Sequence, residues 1–104
     1  METVAFRMVL HPGMREEYER RHARIWPELV ELLRDAGIRD YRIFFDPSSH
    51  HLFAVLRRPQ HHGMGALGAH AVMRRWWESM RDIMQTEAGG QPFQVALEQV
   101  FHLE

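Results

Sequence analysis

The sequence contains no cysteine, no lysine and no asparagine. Without cysteine the chain can form no disulfide, thiolate nucleophile, iron–sulfur cluster or thiolate zinc site. Without lysine it can form no Schiff base and no phosphate-binding Walker motif, and without asparagine it carries no N-glycosylation sequon. The groups that remain for proton-transfer chemistry are histidines, tyrosines and carboxylates.

The sequence also lacks an excess of charge and a long hydrophobic run. Its 13 basic residues, all arginine, nearly cancel its 14 acidic residues, which gives a net charge of -1 at pH 7. This balance excludes the basic footprint of a nucleic-acid partner. No apolar run is long enough for a membrane span, and the acidic opening Met1-Glu2-Thr3 does not resemble a secretory signal. We therefore expect no membrane association and a cytoplasmic location.

The chain of 104 residues, 45% of them hydrophobic, is long enough for one domain with its own core. Hydrophobic periodicity predicts six elements: a strand over 3–10, a helix over 14–36, strands over 41–45 and 52–56, a helix over about 70–84, and a strand from Val95 to the C-terminus. Pro27 predicts an irregular turn near Ile25-Trp26, and Gly37 predicts the end of the first helix. This βαββαβ order indicates an α+β, ferredoxin-like fold.

Two helices on one side of a four-stranded sheet leave the other side uncovered. Several positions on that side are apolar, among them Ala5, Val9, Phe53 and Val55. Such a surface favours contact with a second copy of the same chain. We therefore expect a homodimer.

Tyr18 and His22 are the first candidate site residues. They lie four positions apart on the apolar stripe of the first predicted helix, so their side chains are neighbours. Polar rings on an aliphatic stripe are consistent with a core histidine beside a tyrosine, or with a site in which both face a ligand. The spacing alone leaves both interpretations open.

The adjacent Trp76 and Trp77 lie on the second predicted helix, which faces the same side of the sheet. At least one of them is expected in the core. An indole also packs well against the apolar face of a sugar ring, whose hydroxyls need polar partners such as the phenol of Tyr41. The pairs His50-His51 and His61-His62 lack the i, i+4 spacing of helical metal ligands and are predicted to be solvated loop residues. Arginines alternate with glutamates along the first helix, as on a solvated face: Arg15, Arg20, Arg21, Arg24 and Arg34.

Several segments together resemble the L-rhamnose mutarotase family. They are residues 18–29 (YERRHARIWPEL), Asp40-Tyr41, Leu52-Phe53, Arg75-Trp76-Trp77 and residues 100–103 (VFHL). The resemblance covers nearly the whole chain, so residues 1–104 are expected to form one mutarotase-like domain. The loop over 85–92, Phe44 and the terminal Glu104 depart from the family pattern.

This resemblance implies a dimeric α+β barrel that interconverts the α and β anomers of L-rhamnose. It implies His22 as the acid/base residue and Tyr18, Tyr41, Trp76 and Trp77 as sugar-binding residues. A histidine that cycles between neutral and protonated forms suits this reaction, which requires no metal or organic cofactor. Two other functions stay open on the same scaffold: a non-enzymatic small-molecule sensor, and a haem- or oxygen-handling enzyme.

Overall fold

The structure, a computed structural model covering residues 1–104, is built on a four-stranded antiparallel sheet. Its strands are β1 (Glu2–Val9), β2 (Arg39–Asp46), β3 (His51–Arg58) and β4 (Val95–Leu97), in the order β2-β3-β1-β4. Three helices connect them: α1 (Arg15–Ala23), α2 (Pro27–Asp35) and α3 (Ala71–Met80). This strand order with two helical connections is the ferredoxin-like topology, so the predicted α+β fold class is confirmed.

The inner face of the sheet carries the hydrophobic core. On β1 the alternation buries Phe6 and Met8, and on β3 it buries Leu52, Ala54 and Leu56. The helices contribute further buried side chains to the same cluster: Leu29, Met73, Trp76, Met80 and Ile83. Because these residues come from both halves of the chain, neither half forms the core alone.

The predicted helix over 14–36 is wrong in one respect, because two helices occupy this span. Trp26 adopts an extended backbone (φ −65°, ψ 133°), as a residue before proline does when the proline ring disfavours the helical conformation. Pro27 then occupies the first turn of α2, where its missing N–H costs no helical hydrogen bond. The irregular turn predicted at Ile25-Trp26 is confirmed, and it separates α1 from α2.

Gly37 ends α2, as predicted. Its N–H donates to the carbonyl of Arg34 at 2.9 Å, and the N–H of Ile38 donates to the carbonyl of Leu33 at 3.1 Å. This pair of bonds is the Schellman arrangement, which needs a left-handed residue, and Gly37 has φ +99°. A Cβ here would also lie 3.0 Å from the ring of Pro59, so two independent constraints favour glycine.

Two boundaries in the second half of the chain differ from prediction. The glycine-rich segment expected to be a loop contains a 3-10 helix over Met64–Ala69, whose first N–H donates to Nδ1 of His62 at 3.2 Å. The helix predicted to run to residue 84 ends at Met80, and Met84 instead forms a bridge with Leu10 of the first segment. Ile83 and Met84 therefore fit the apolar spacing because both are buried, although neither belongs to the helix.

The last strand is also shorter than predicted, because β4 ends at Leu97 and residues 98–104 lie outside the sheet. Its register pairs Ala5 with Leu97, so continuing it would bring Glu2, the first residue of β1, opposite Val100. Phe101 would then lie opposite Met1, and residues 102–104 would have no partner in this chain. Phe101 and Leu103 are 77% and 82% exposed.

No helix in the structure has the length and apolarity needed to cross a bilayer.

Candidate active site

A cavity of about 1160 Å³ lies between the inner face of the sheet and the helices. Its wall is mostly apolar, with 23 hydrophobic residues among the 31 that line it. The structure brings all five predicted site residues to this wall: Tyr18, His22, Tyr41, Trp76 and Trp77. An apolar cavity with a few converging polar groups is the usual form of a small-molecule site.

Helix α1 places Tyr18 and His22 in direct contact. Their ring centroids lie 4.2 Å apart with the planes inclined at 31°. Nδ1 of His22 lies 3.0 Å from the backbone carbonyl oxygen of Tyr18. A carbonyl can only accept, so Nδ1 carries the proton in this hydrogen bond. In the neutral imidazole the lone pair is therefore on Nε2, which is the nitrogen free to take a proton.

The cavity shifts the pKa values of both side chains. Burial lowers the pKa of His22 below its usual 6.5, because a desolvated imidazole resists protonation, and the hydrogen bond to the Tyr18 carbonyl opposes this effect only in part. Burial also raises the pKa of Tyr18, and the nearby Tyr41 adds to the rise. Near pH 7, His22 is therefore a neutral base beside a phenol that keeps its proton.

Trp76 meets His22 from the opposite helix. The two ring centroids lie 5.3 Å apart with the planes at 89°, an edge-to-face contact. Trp26 makes a similar edge-to-face contact with Trp76, at 5.2 Å and 86°. Trp26 was absent from the predicted site, although it precedes Pro27 and lies within the segment 18–29 that resembles the family. The rings of Tyr18, His22, Trp76 and Trp26 thus form one continuous aromatic row.

Trp77 lies on the cavity wall but takes no part in this row. Adjacent helical positions point about 100° apart, so α3 cannot aim both indoles at His22. Trp76 is buried, whereas Trp77 is half-buried. The expectation that at least one of the pair belongs to the core is confirmed by Trp76. Trp77 instead faces Gly68, where a Cβ would lie 3.5 Å from the indole ring.

Tyr41 reaches the cavity through a β-bulge in β2. Arg39 pairs with Arg57 and Arg42 pairs with Val55, so Asp40 and Tyr41 together oppose a single residue of β3. Asp40 adopts a left-handed backbone (φ 50°), a conformation that aspartate tolerates better than most residues. The residue as a whole is 37% exposed, but desolvation of its phenol raises the pKa of Tyr41 to about 12. Strict alternation in the sequence gives no sign of this bulge.

The other histidines do not form a site. His61 and His62 are exposed, as predicted for solvated loop residues. His50 lies in a turn, as predicted, but His51 is the first residue of β3. Both are half-buried: the ring of His50 lies 6.3 Å from that of Phe45, and the ring of His51 lies 6.1 Å from that of Phe53, so the prediction of full solvation is wrong for this pair. Nowhere do three histidine, aspartate or glutamate side chains come together as metal ligands would.

One arginine on α1 departs from the solvated face that the sequence predicts. Four of the five predicted arginines are exposed, but the side chain of Arg21 is only 24% exposed. It binds Asp82 and the backbone carbonyl of Ser79, which both lie near the C-terminal end of α3. Its partners are about 60 residues away along the chain, beyond the reach of any helical spacing pattern.

The loop over 85–92, which departs from the family pattern, closes on itself at the cavity rim. Thr86 bridges to Pro92, and the N–H of Glu87 donates to the carbonyl of Gln91 at 2.8 Å. Pro92, the last residue of this loop, and Gln94 line the cavity. Phe44, the other departure within the fold, pairs with Phe53 on the opposite face of the sheet and is 56% exposed.

The fold and the cavity together define a class: a small ferredoxin-like protein with an aromatic site built around one titratable histidine. A sequence profile described as L-rhamnose mutarotase matches residues 3–103. The chain is 69% identical to an L-rhamnose mutarotase of Paraburkholderia xenovorans over 99% of its length and 96% of that protein. It is 60% identical to an L-rhamnose mutarotase of Burkholderia cenocepacia, with both chains fully covered. The chain belongs to the L-rhamnose mutarotase family.

A solved structure agrees with this assignment. The crystal structure of an L-rhamnose mutarotase from Formosa agariphila superimposes with a TM-score of 0.92 at 38% sequence identity, and the match covers 100% of both chains. The resemblance on which the family was predicted is therefore confirmed in sequence and in fold.

Proposed function

We propose that the protein is an isomerase that interconverts the α and β anomers of L-rhamnose. The observation that carries this proposal is the position of His22: a neutral imidazole with Nδ1 held by a backbone carbonyl and Nε2 free, inside an aromatic cavity. The relatives are L-rhamnose mutarotases, and mutarotation needs one group that can both take and return a proton.

His22 can serve both proton transfers of the reaction. Nε2 takes the proton of the C1 hydroxyl while the bond between C1 and the ring oxygen breaks, and the resulting imidazolium returns that proton to the ring oxygen. C1 becomes an aldehyde, the C1–C2 bond rotates, and the reverse steps close the ring on the other face. No proton or electron is gained or lost overall, and a pKa somewhat below 6.5 keeps His22 neutral at the start of each cycle.

The aromatic residues around His22 suit the binding of a sugar. No protein group forms a hydrogen bond with the hydroxyl of Tyr18 or of Tyr41, so both hydroxyls are available to sugar oxygens. Trp76 and Trp77 offer indole surface to the apolar face of the ring. We assign Tyr18, Tyr41, Trp76 and Trp77 to substrate binding on these grounds.

Saturation-transfer NMR tests the proposed reaction. Irradiating one anomeric proton of L-rhamnose should diminish the signal of the other when active protein is present, and the transfer should disappear after heat denaturation of the same sample. A protein that binds L-rhamnose, seen as line broadening of the sugar signals, without accelerating this transfer would be a sensor and would contradict the proposal.

We also propose that the protein acts as a homodimer. The outer face of the sheet carries the half-buried Ala5, Val9, Phe53 and Val55 and has no helix over it. Nε of Arg7, on the same face, is buried without a hydrogen-bond partner. Phe101 and Leu103, which follow the last strand, are also apolar and exposed. A second copy would remove this apolar surface from water, at about 25 cal/mol gained per Å² buried.

Light scattering after size exclusion tests the dimer, because the mass should be twice 12.4 kDa. Replacing Phe101 with serine should weaken the association, whereas replacing the equally peripheral His102 with serine should leave it unchanged. A monomer at micromolar concentration would contradict the proposal.

A further inference from the structure

We propose that Arg21 is a positioning residue for the anomer exchange: its guanidinium fastens α1 to the end of α3 and thereby holds His22 against Trp76. The predicted effect on the exchange rate rests on the proposed function. The contacts of Arg21 do not depend on it.

The guanidinium of Arg21 makes four hydrogen bonds that fix its orientation. Nη1 donates to Oδ1 of Asp82 at 2.8 Å and to the backbone carbonyl of Ser79 at 2.6 Å, and Nη2 donates to Oδ2 of Asp82 at 3.1 Å. Nε donates to Oε2 of Glu17, one turn earlier on α1, at 2.7 Å. A planar fork held on three sides allows little rotation, unlike a flexible surface ion pair.

This contact joins the two helices that carry the proposed site. Arg21 directly precedes His22 on α1, and Ser79 lies one turn after Trp76 on α3. The hydroxyl of Ser79 donates back to the carbonyl of Trp76 at 2.6 Å, which ties that turn to the tryptophan. We call this set of hydrogen bonds from Arg21 to Ser79 and Asp82 the clamp. It lies one residue from His22 on α1 and one turn from Trp76 on α3.

The clamp matters because no other side chain of α1 forms a hydrogen bond to α3. The backbones of α1 and α3 are close at few positions, and α3 packs mainly against α2 and the 3-10 segment. Arg21 therefore supplies the polar link between the two helices beside the ring contact of His22 with Trp76, whose centroids lie 5.3 Å apart. The positive charge of Arg21 also lies at the C-terminal end of α3, where unpaired carbonyls favour a cation.

Arg20 provides a matched control. It is the preceding residue of α1, it binds the same Glu17, and its side chain is 59% exposed. It makes no hydrogen bond to α3. Replacing Arg20 or Arg21 with glutamine removes the same charge from the same helix, but only the Arg21 variant loses the link to Ser79 and Asp82.

The first measurement compares the exchange rate at saturating L-rhamnose in Arg21→Gln and Arg20→Gln. We expect Arg21→Gln to lower this rate about 10-fold or more with a smaller change in KM, because misplacing a proton-transfer group by a fraction of an ångström is enough for such a loss. Arg20→Gln should exchange at the wild-type rate. Arg21→Lys, which keeps the charge but not the fork, should restore only part of the rate. Equal rates in the two glutamine variants would overturn the inference.

The second measurement does not depend on activity. The ring protons of His22 lie within the ring current of Trp76, so their NMR shifts report the contact directly. Arg21→Gln should move these shifts towards those of a free imidazole, and Arg20→Gln should not. If the wild-type protein failed to exchange L-rhamnose while these shifts still moved, the clamp would stand and the proposed function would fall.

Asp82→Asn keeps the inference testable if Arg21→Gln does not fold. The side chain of Asp82 is 67% exposed, so this variant should fold. It removes the carboxylate that receives two of the four hydrogen bonds. A smaller loss of rate with a matching shift of the His22 signals is expected, and a wild-type rate with wild-type His22 shifts would overturn the inference.

Discussion

The imidazole of His22 stands edge-on to the indole of Trp76, with ring centroids 5.3 Å apart and planes at 89°. His22 also contacts the ring of Tyr18, with centroids 4.2 Å apart. The half-buried imidazole thus packs against two aromatic rings, and its Nδ1 is bound to a backbone carbonyl. This packing explains why desolvation, more than any neighbouring charge, sets the pKa of His22.

Replacing Tyr18 with phenylalanine tests the part played by its hydroxyl. The ring contact with His22 should survive, and no protein hydrogen bond is lost. We expect an exchange rate about 5-fold lower, which corresponds to one hydrogen bond to the sugar worth about 1 kcal/mol. The melting temperature should stay within a degree or two of the wild type, because the stability change should be as small as that of a typical surface substitution. An unchanged exchange rate would remove Tyr18 from the binding residues.

The exchange rate should depend on pH through His22. Its pKa is lowered by burial, so the neutral base predominates at pH 7 and is lost only when the pH falls below 6.5. We expect a rate that is flat from pH 7 to 8 and declines on the acid side of 6.5. Measured rates need correction for the spontaneous exchange of L-rhamnose in buffer at each pH. A decline centred above pH 7 would contradict this environment for His22.

The stability of the folded protein should also depend on the same group. Because its folded pKa lies below 6.5, the unfolded chain binds a proton at His22 more readily than the folded protein does. The contribution of His22 to the free energy of unfolding should therefore be fully present above pH 6.5. It should decrease as the pH falls from 6.5 through the lowered pKa. Urea unfolding of the wild type and His22→Gln between pH 5 and 8 checks this, since the variant should lose this part of the pH dependence.

Sugar binding should be visible in tryptophan fluorescence. The proposed site contains Trp76 and Trp77, while Trp26 lies behind Trp76. We expect L-rhamnose to change the emission of the wild type and to change it less in Trp77→Phe and in Trp76→Phe. Trp26→Phe is the control, because it removes an indole outside the cavity wall. An undiminished response in both Trp76→Phe and Trp77→Phe would leave the pair with only a core role.

The sequence predicted most of the fold because alternation and helical spacing are local properties. Phe6, Met8, Leu52 and Leu56 lie on the inner face as their spacing predicts. The prediction failed for the extent of β4: Phe101 and Leu103 continue its alternation, but pairing ends at Leu97 although β1 extends three residues beyond its partner Ala5. Alternation within one segment does not show how far its pairing with another strand continues.

The site was only partly accessible from the sequence, for the same physical reason. The contact of Tyr18 with His22 follows from a spacing of four residues within one helix. The bulge at Asp40 and the contacts of Arg21 depend on residues distant along the chain, and nothing in their own segments indicates them. The chemistry of indole and phenol offered Tyr41, Trp76 and Trp77 as candidates, the resemblance to a known family assigned them to sugar binding, and the structure places all three on the cavity wall.

The most direct test of His22 measures the exchange rate and the melting temperature on one sample of His22→Ala. If His22 transfers the proton, saturation transfer between the anomeric protons of L-rhamnose should slow by about 10²- to 10⁴-fold while the protein still folds. His22→Gln, which fills more of the space of the imidazole but cannot accept a proton at neutral pH, should be equally slow. Exchange close to the wild-type rate in folded His22→Ala would contradict the assignment and make His22 a structural residue of the cavity wall.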